Sequence, residues 1–323
     1  MTTSRSSGDL AGTPVLVVGG RGFVGSHVVR ALVAAGARPQ LFGPAMAEDR
    51  LADVAGAFDE HEGSLESRER LRDVLAASGA RLAVSCAAHG AGKLGLMRSG
   101  EADADAALAV NVVGHRNLLE ASREARVARV VWTSSTVVYG PADLYPTQPV
   151  DEAAPTAPLT FYGLTKVLAE EVAAYHVRRH GQSVVGLRLP LVLGPGLWYE
   201  GAAAGLMAFF EAASTGSPAR LAFHDRPIDL MHVSDVAGAV LAALRHDGLL
   251  QPVYNLEGFT ARASELVAEI RAMREGARIG LEPSEPAMLF PLVSGARLRA
   301  DLGFAPRHDR RAFVAAMLGE KTR

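Results

Sequence analysis

Cysteine is almost missing from this sequence. Cys86 stands alone in 323 residues, which excludes an intrachain disulfide and any multi-cysteine zinc site; no metal is expected, and the single thiol fits a reducing cytoplasm. An excess of charge is missing too. Lys plus Arg number 33 against 35 for Asp plus Glu, a net charge of -2, so nothing attracts the chain globally to nucleic acid or to anionic lipid. No run approaches the ~18 apolar residues of a membrane span, and the opening MTTSRSSGDLAG lacks the apolar centre of a secretory signal. These absences lead to the expectation of a cytoplasmic protein with no nucleic-acid and no membrane partner. What is present is ordinary: 49% hydrophobic and 21% charged residues, the composition of a globular chain. The length exceeds one average domain and falls short of two, which implies a large domain with a smaller appendage.

Residues 1–12 read as a flexible polar tail. Thr13–Val18 is a short β-branched apolar run, the pattern of a buried parallel strand. Apolar residues at helical spacing follow from Phe23 to Ala35. Further strands are expected near Gln40–Phe42 and over Ala83–Cys86, Val127–Thr133, Ser183–Leu189 and Val253–Leu256. Helices are expected near Glu66–Ala77, Ala102–Glu124, Thr160–His180 and Ala203–Ala213, and after Ser234. Strands alternating with helices at this spacing mean right-handed crossovers and a parallel sheet covered on both faces. Beyond Gly194 the alternation loosens into a smaller lobe.

Between the first strand and the first helix stand Gly19, Gly20, Arg21, Gly22, Phe23, Val24 and Gly25. Gly19 allows a tight turn, Gly22 lets backbone N–H groups approach a pyrophosphate, and Gly25 lets helix and strand pack closely. The strand before and the helix after give the triplet its meaning, a dinucleotide-binding turn. An NAD binder is expected to place a carboxylate at the end of its second strand, where this chain has Gly43-Pro44. Arg21 is suited to a 2′-phosphate, so the cofactor is NAD or NADP, with Arg21 tipping the expectation toward NADP.

Tyr162 and Lys166 lie four apart on an expected helix and project from one face. Ser135 and Thr136 end a strand, where parallel sheets gather their chemistry. Hydride transfer at a secondary alcohol or ketone needs a proton donor or acceptor on the oxygen. A tyrosine with a reference pKa of ~10 serves near neutrality when positive charge stabilises its phenolate. Lys166 would supply that charge, Tyr162 the proton and Ser135 a hydrogen bond to the substrate oxygen.

Together these residues resemble an extended short-chain dehydrogenase/reductase of the NAD-dependent epimerase/dehydratase superfamily, over nearly the whole chain. Cys86-Ala87-Ala88, Asn111-Val112-Val113-Gly114, Ser134 to Gly140, Tyr162-Gly163-Leu164-Thr165-Lys166 and Arg188 to Pro195 are similar to successive family motifs. The likeness implies a Rossmann-type doubly wound α/β parallel sheet with a small C-terminal substrate-binding lobe. It divides the chain into a tail (1–12), a cofactor domain carrying the catalytic residues (13–189) and a mainly substrate-binding lobe (190–323) with late returns to the sheet. Besides the glycine turn, it assigns Ser64, Leu65, Cys86, Ala87, Ala88, Asn111, Tyr162, Lys166, Leu189 and Pro190 to the cofactor. Near the substrate it places His89, Lys93, Thr136, Trp198, Tyr199 and Arg226. A homodimer is also implied.

The departures narrow the reaction. Thr136 and Val137 replace the Asp-Glu pair of the family's dehydratases, and neither titrates. GDP-fucose synthase has a cysteine at the Val137 position and a histidine at the Gly196 position, both absent here. Nucleotide-sugar epimerases use an asparagine and an arginine where this chain has Leu191 and Ile228, which removes a diphosphate clamp. The expectation is an NAD(P)-dependent oxidoreductase acting on a small sugar-like or biosynthetic metabolite. A nucleotide-sugar 4-epimerase and an NAD(P)-sensing regulatory protein are the alternatives.

Overall fold

Strand β1 (Pro14–Val18) is buried along almost its whole length, as a strand covered on both faces must be. A computed structural model describes residues 8–46, 48–201 and 204–320. After β1 come α1 (Phe23–Ala34), β2 (Arg38–Gly43), β3 (Asp59–Glu62), α2 (Arg68–Ser78) and β4 (Leu82–Ser85). Two short helices, α3 (Leu96–Ala102) and α4 (Ala104–Leu108), precede a π-helical segment (Ala109–Gly114) and α5 (His115–Glu124). Next are β5 (Arg129–Ser135), α6 (Phe161–His180), β6 (Val184–Leu189), β7 (Leu191–Leu193), α7 (Ala204–Thr215), β8 (Ala219–Phe223) and β9 (Ile228–His232). The chain continues through α8 (Val233–Arg245), β10 (Val253–Asn255), β11 (Phe259–Ala261), α9 (Ala263–Met273), β12 (Ile279–Pro283), α10 (Ala296–Leu302) and α11 (Arg310–Met317).

Seven strands form one sheet in the order β3-β2-β1-β4-β5-β6-β10, with every pairing parallel. Alternate residues of β1 serve opposite faces. Val15 and Val17 join Val28 and Leu32 of α1 and Val236 and Val240 of α8, whereas Leu16 and Val18 join Leu71 of α2, Leu118 of α5 and Ala169 of α6. Strand order reverses between β1 and β4, which opens a crevice at the carboxyl ends of these strands. This is the doubly wound arrangement the sequence implies.

The smaller lobe has a three-stranded sheet, β11-β9-β7, and a β8–β12 pair. Leu193, Phe209, Phe210, Leu266 and Phe313 fill its core. The lobe half also returns to the large sheet: β10 pairs with β6, and α8 packs beside α1.

Two expectations need correction, and one strand was not expected. The expected loose tail is docked at its end: Leu10 is buried in the core, and the Gly12 N–H donates to the Gly36 carbonyl at 2.7 Å. Residues 1–7 of that tail lie outside the described residues. The helix expected over Ala102–Glu124 is broken, because Asp103 leaves helical geometry and caps α4 through the Ala106 N–H at 2.9 Å. Finally, β3 adds an edge strand whose polar sequence, Asp-Glu-His-Glu, carries no apolar alternation to reveal it.

Candidate active site

The glycine turn sits at the carboxyl end of β1. Gly19 has a φ of +73°, a conformation that L side chains rarely adopt. A Cβ on Gly25 would come within 2.1 Å of the Gly19 carbonyl oxygen, so Gly25 is what lets α1 start this close to the strand. Gly22 caps α1 without a side-chain acceptor, leaving first-turn N–H groups for an anion. Phe23 and Val24 form that first turn, and Gly20 packs against Leu41 of β2. The turn fits a dinucleotide pyrophosphate.

Arg21, expected to meet a 2′-phosphate, pairs with two acidic side chains. Its guanidinium is held between Glu60 (2.6 Å) and Asp49 (3.0 Å). These carboxylates lie 39 and 28 residues away in sequence, and only the pairing of β3 with β2 and the loop after it bring them to the turn.

The residues expected to be catalytic come together across β5 and α6. Thr160 caps α6, its hydroxyl accepting from the Gly163 N–H at 3.0 Å, which sets Tyr162 and Lys166 in the first two turns. Both are buried, at 7% and 3% exposure, while Ser135 at the end of β5 is half-buried. The Lys166 Nζ donates to the Thr133 carbonyl at 2.8 Å and stands 5.5 Å from the ring centres of Tyr162 and Trp132. Burial brings the Lys166 ammonium down to about 8. Burial also pushes the Tyr162 phenol well above its usual range, with Tyr199 adding to this and the Ser135 hydroxyl opposing it. The Ser135 hydroxyl accepts from the Val137 N–H at 3.3 Å.

Asn111 locks the cofactor side of the crevice to this helix. Its Oδ1 accepts from the His89 N–H at 2.8 Å, and its Nδ2 donates to the Thr165 hydroxyl at 3.0 Å. Asn111 lies in the π-helical segment, the kind of local widening common at functional sites. Cys86, Ala87 and Ala88 follow β4; the Ala87 backbone is what a Cβ on Gly19 would strike at 3.0 Å. The Cys86 thiol is pushed up to about 12 by burial, which makes it inert. Leu65 is buried against Gly114, and Ser64 bonds locally to Glu66. Leu189 ends β6 opposite Ser135, its carbonyl accepting from the Thr136 hydroxyl at 3.2 Å, and Pro190 is buried beside it.

A cover crosses the crevice. The Glu200 N–H donates to the Lys93 carbonyl (2.6 Å) and the Gly95 N–H to the Glu200 carbonyl (3.1 Å). Tyr199 is tucked beneath, edge-on to Phe23 at 6.4 Å, its phenol raised to about 12 by burial. Trp198 stacks under the Arg50 guanidinium at 3.7 Å. Of the expected substrate residues, Thr136 and Tyr199 stand beside the Ser135–Tyr162–Lys166 group, and Trp198 belongs to the cover. Lys93 enters the cover through its backbone, and His89 presents a buried Nε2 with no hydrogen-bond partner. Arg226 is exposed in the β8–β9 turn, and no bond of its side chain reaches this group.

A buried network below the site was not legible in the sequence. Arg188 forms a two-pronged pair with Glu170 (2.9 and 2.7 Å) and donates to the Tyr139 hydroxyl at 2.7 Å, which donates to Asn255. The Ser134 hydroxyl donates to Glu170 at 2.6 Å. β5, α6, β6 and β10 are thereby fastened together beneath Ser135 and Lys166.

The NAD-dependent epimerase/dehydratase family model matches residues 15–256. A UDP-glucose 4-epimerase of Azospirillum brasilense is 30% identical over 92% of this chain and 88% of its own. Among solved structures, the UDP-glucose 4-epimerase of Thermus thermophilus in complex with NAD is similar with a TM-score of 0.79 and 24% identity, covering 95% of this chain and 98% of that one. A partial-consensus L-threonine 3-dehydrogenase is similar with a TM-score of 0.82 and 22% identity, at the same coverages. The chain is therefore an enzyme of the NAD-dependent epimerase/dehydratase family.

Proposed function

We propose that this enzyme transfers hydride between NAD and a secondary alcohol or ketone of a small sugar-like or biosynthetic metabolite that carries no diphosphate. The observation behind this is the half-buried Ser135 beside buried Tyr162 and Lys166, together with apolar Leu191 and Ile228, both packed against the lobe core. The glycine turn would hold the pyrophosphate, with Asn111 and the Cys86–Ala88 strand end lining the cofactor. Bound there, the nicotinamide supplies or accepts the hydride. Tyr162 moves the proton at the substrate oxygen, Ser135 donates a hydrogen bond to that oxygen, and Lys166 favours the phenolate by its charge. NAD is preferred to NADP in this reading, since the Asp49 and Glu60 carboxylates beside Arg21 would repel a 2′-phosphate.

The second reading is a nucleotide-sugar 4-epimerase, favoured by the likeness to the A. brasilense enzyme over most of both chains. One experiment separates the two. The purified enzyme is offered small secondary alcohols and ketones with NAD⁺ or NADH, and separately UDP-, GDP- and dTDP-sugars. Net change in NADH with the small substrates supports the first reading. Epimerised sugar without net NADH overturns it in favour of the second.

We also propose a homodimer joined through the α5–α6 face, where Val112, Leu168, Val172 and Tyr175 line an open apolar groove. The unpaired Cys86 fits a cytoplasmic setting.

A further inference from the structure

Away from the crevice, three potential metal ligands converge where α5 and the last turn of α6 lie side by side. Glu120 comes from α5, and His176 and His180 are one helical turn apart on α6. One ligand atom from each lies within 4.8 Å of the other two. We propose that Glu120, His176 and His180 bind a divalent transition-metal ion of the zinc type.

The argument starts with the tautomer of His176. Gln182 donates from its Nε2 to the Leu119 carbonyl at 3.0 Å. A carbonyl only accepts, so the Gln182 Oε1 must be the atom 3.0 Å from the His176 Nδ1. That oxygen also only accepts, and the Nδ1 therefore carries the hydrogen. The lone pair of the neutral ring is left on Nε2, which faces the Glu120 Oε1 at 3.6 Å. A ring nitrogen oriented by an outer hydrogen bond is how protein metal sites hold their histidines. The other Glu120 oxygen is occupied by Arg123 at 2.9 Å, with Arg68 at 3.8 Å, so Oε1 is the one turned to the site.

His176 is buried, which fixes one ligand, while His180 is exposed and can swing inward. Two tetrahedral ligand atoms on zinc sit roughly 3.3 Å apart given bonds of about 2.0–2.1 Å, so closure needs only a side-chain adjustment. Two imidazoles and one carboxylate suit zinc, not magnesium or calcium, which ask for oxygen ligands. The remaining coordination position is open to water. No local pattern announces the site, because Glu120 lies far from His176 along the chain and the helix pairing alone joins them. The proposal departs from the expectation of no metal.

The test uses the full-length chain without a polyhistidine tag, titrated with zinc chloride in a non-chelating buffer and followed by calorimetry and thermal unfolding. One zinc ion per chain and a raised melting temperature are expected, with no response to magnesium or calcium. His180→Ala and Glu120→Gln should each weaken binding by about tenfold or more. Since His180 is exposed, His180→Ala should melt like the wild type when metal-free. Absence of zinc uptake, or uptake equal in the wild type and His180→Ala, would overturn the site.

Discussion

In the proposed mechanism Lys166 must be charged to assist Tyr162, yet burial resists that charge: one backbone carbonyl and two aromatic rings surround it, and among the described residues no carboxylate is in bonding contact. Its folded pKa of about 8 lies below the ordinary lysine value of 10.5. Between these values the unfolded chain holds more protons, so the contribution of Lys166 to stability rises with pH through this window and is lost as pH falls through about 8. Lys166→Met should therefore unfold at a higher temperature than the wild type at pH 7. The gain should shrink as pH approaches 10, which melting curves at several pH values will check. Turnover should fall by about 10²–10⁴. Tyr162→Phe should lose turnover on the same scale while still showing an NAD-induced rise in melting temperature, because the phenol makes no bond to the glycine turn. If Tyr162→Phe kept full turnover, its role as the proton carrier would be refuted.

At the scale of elements, the turn between β1 and α1 has little room for change. An alanine at Gly25 would drive its Cβ into the Gly19 carbonyl, and the helix start would have to move off the strand. Gly25→Ala is expected to cost about 1–3 kcal/mol by denaturant unfolding and to abolish the thermal shift produced by NAD. Elements of this kind were readable from sequence: β1, β4, β5, β6 and α6 carry their own periodicity, and the glycine spacing names its chemistry. The proposed catalytic trio rests on local patterns too, a serine at a strand end and a Tyr-x-x-x-Lys on a helix. What could not be read depends on distant partners. β3 has no apolar alternation and exists because β2 offers it an edge. The interruption near Asp103 shows only in the fold, where Gly100, just before it, lies so near α6 that a Cβ there would come within 3.0 Å of the Tyr162 backbone nitrogen. Arg21 looked free because neither Asp49 nor Glu60 is near it in sequence.

For the whole molecule, the exposed apolar residues favour association. Val113, Leu164, Leu168 and Tyr175 are all at least about one-third exposed on or beside the α5–α6 face, more than isolated surface residues require. Sedimentation velocity should show a dimer, and Leu168→Glu should yield a monomer of unchanged circular dichroism. A monomeric wild type would rule this assembly out. The placement of β10 has another consequence. This strand lies between elements of the smaller lobe in sequence but completes the large sheet against β6, so the chain cannot be cut into exchangeable halves at Leu189. A chimera that took a foreign lobe from Leu191 onward would inherit a foreign sheet edge, and a fragment ending there would expose the unpaired backbone of β6 to other chains. Any exchange of the smaller lobe on this scaffold therefore has to leave β10 as it is.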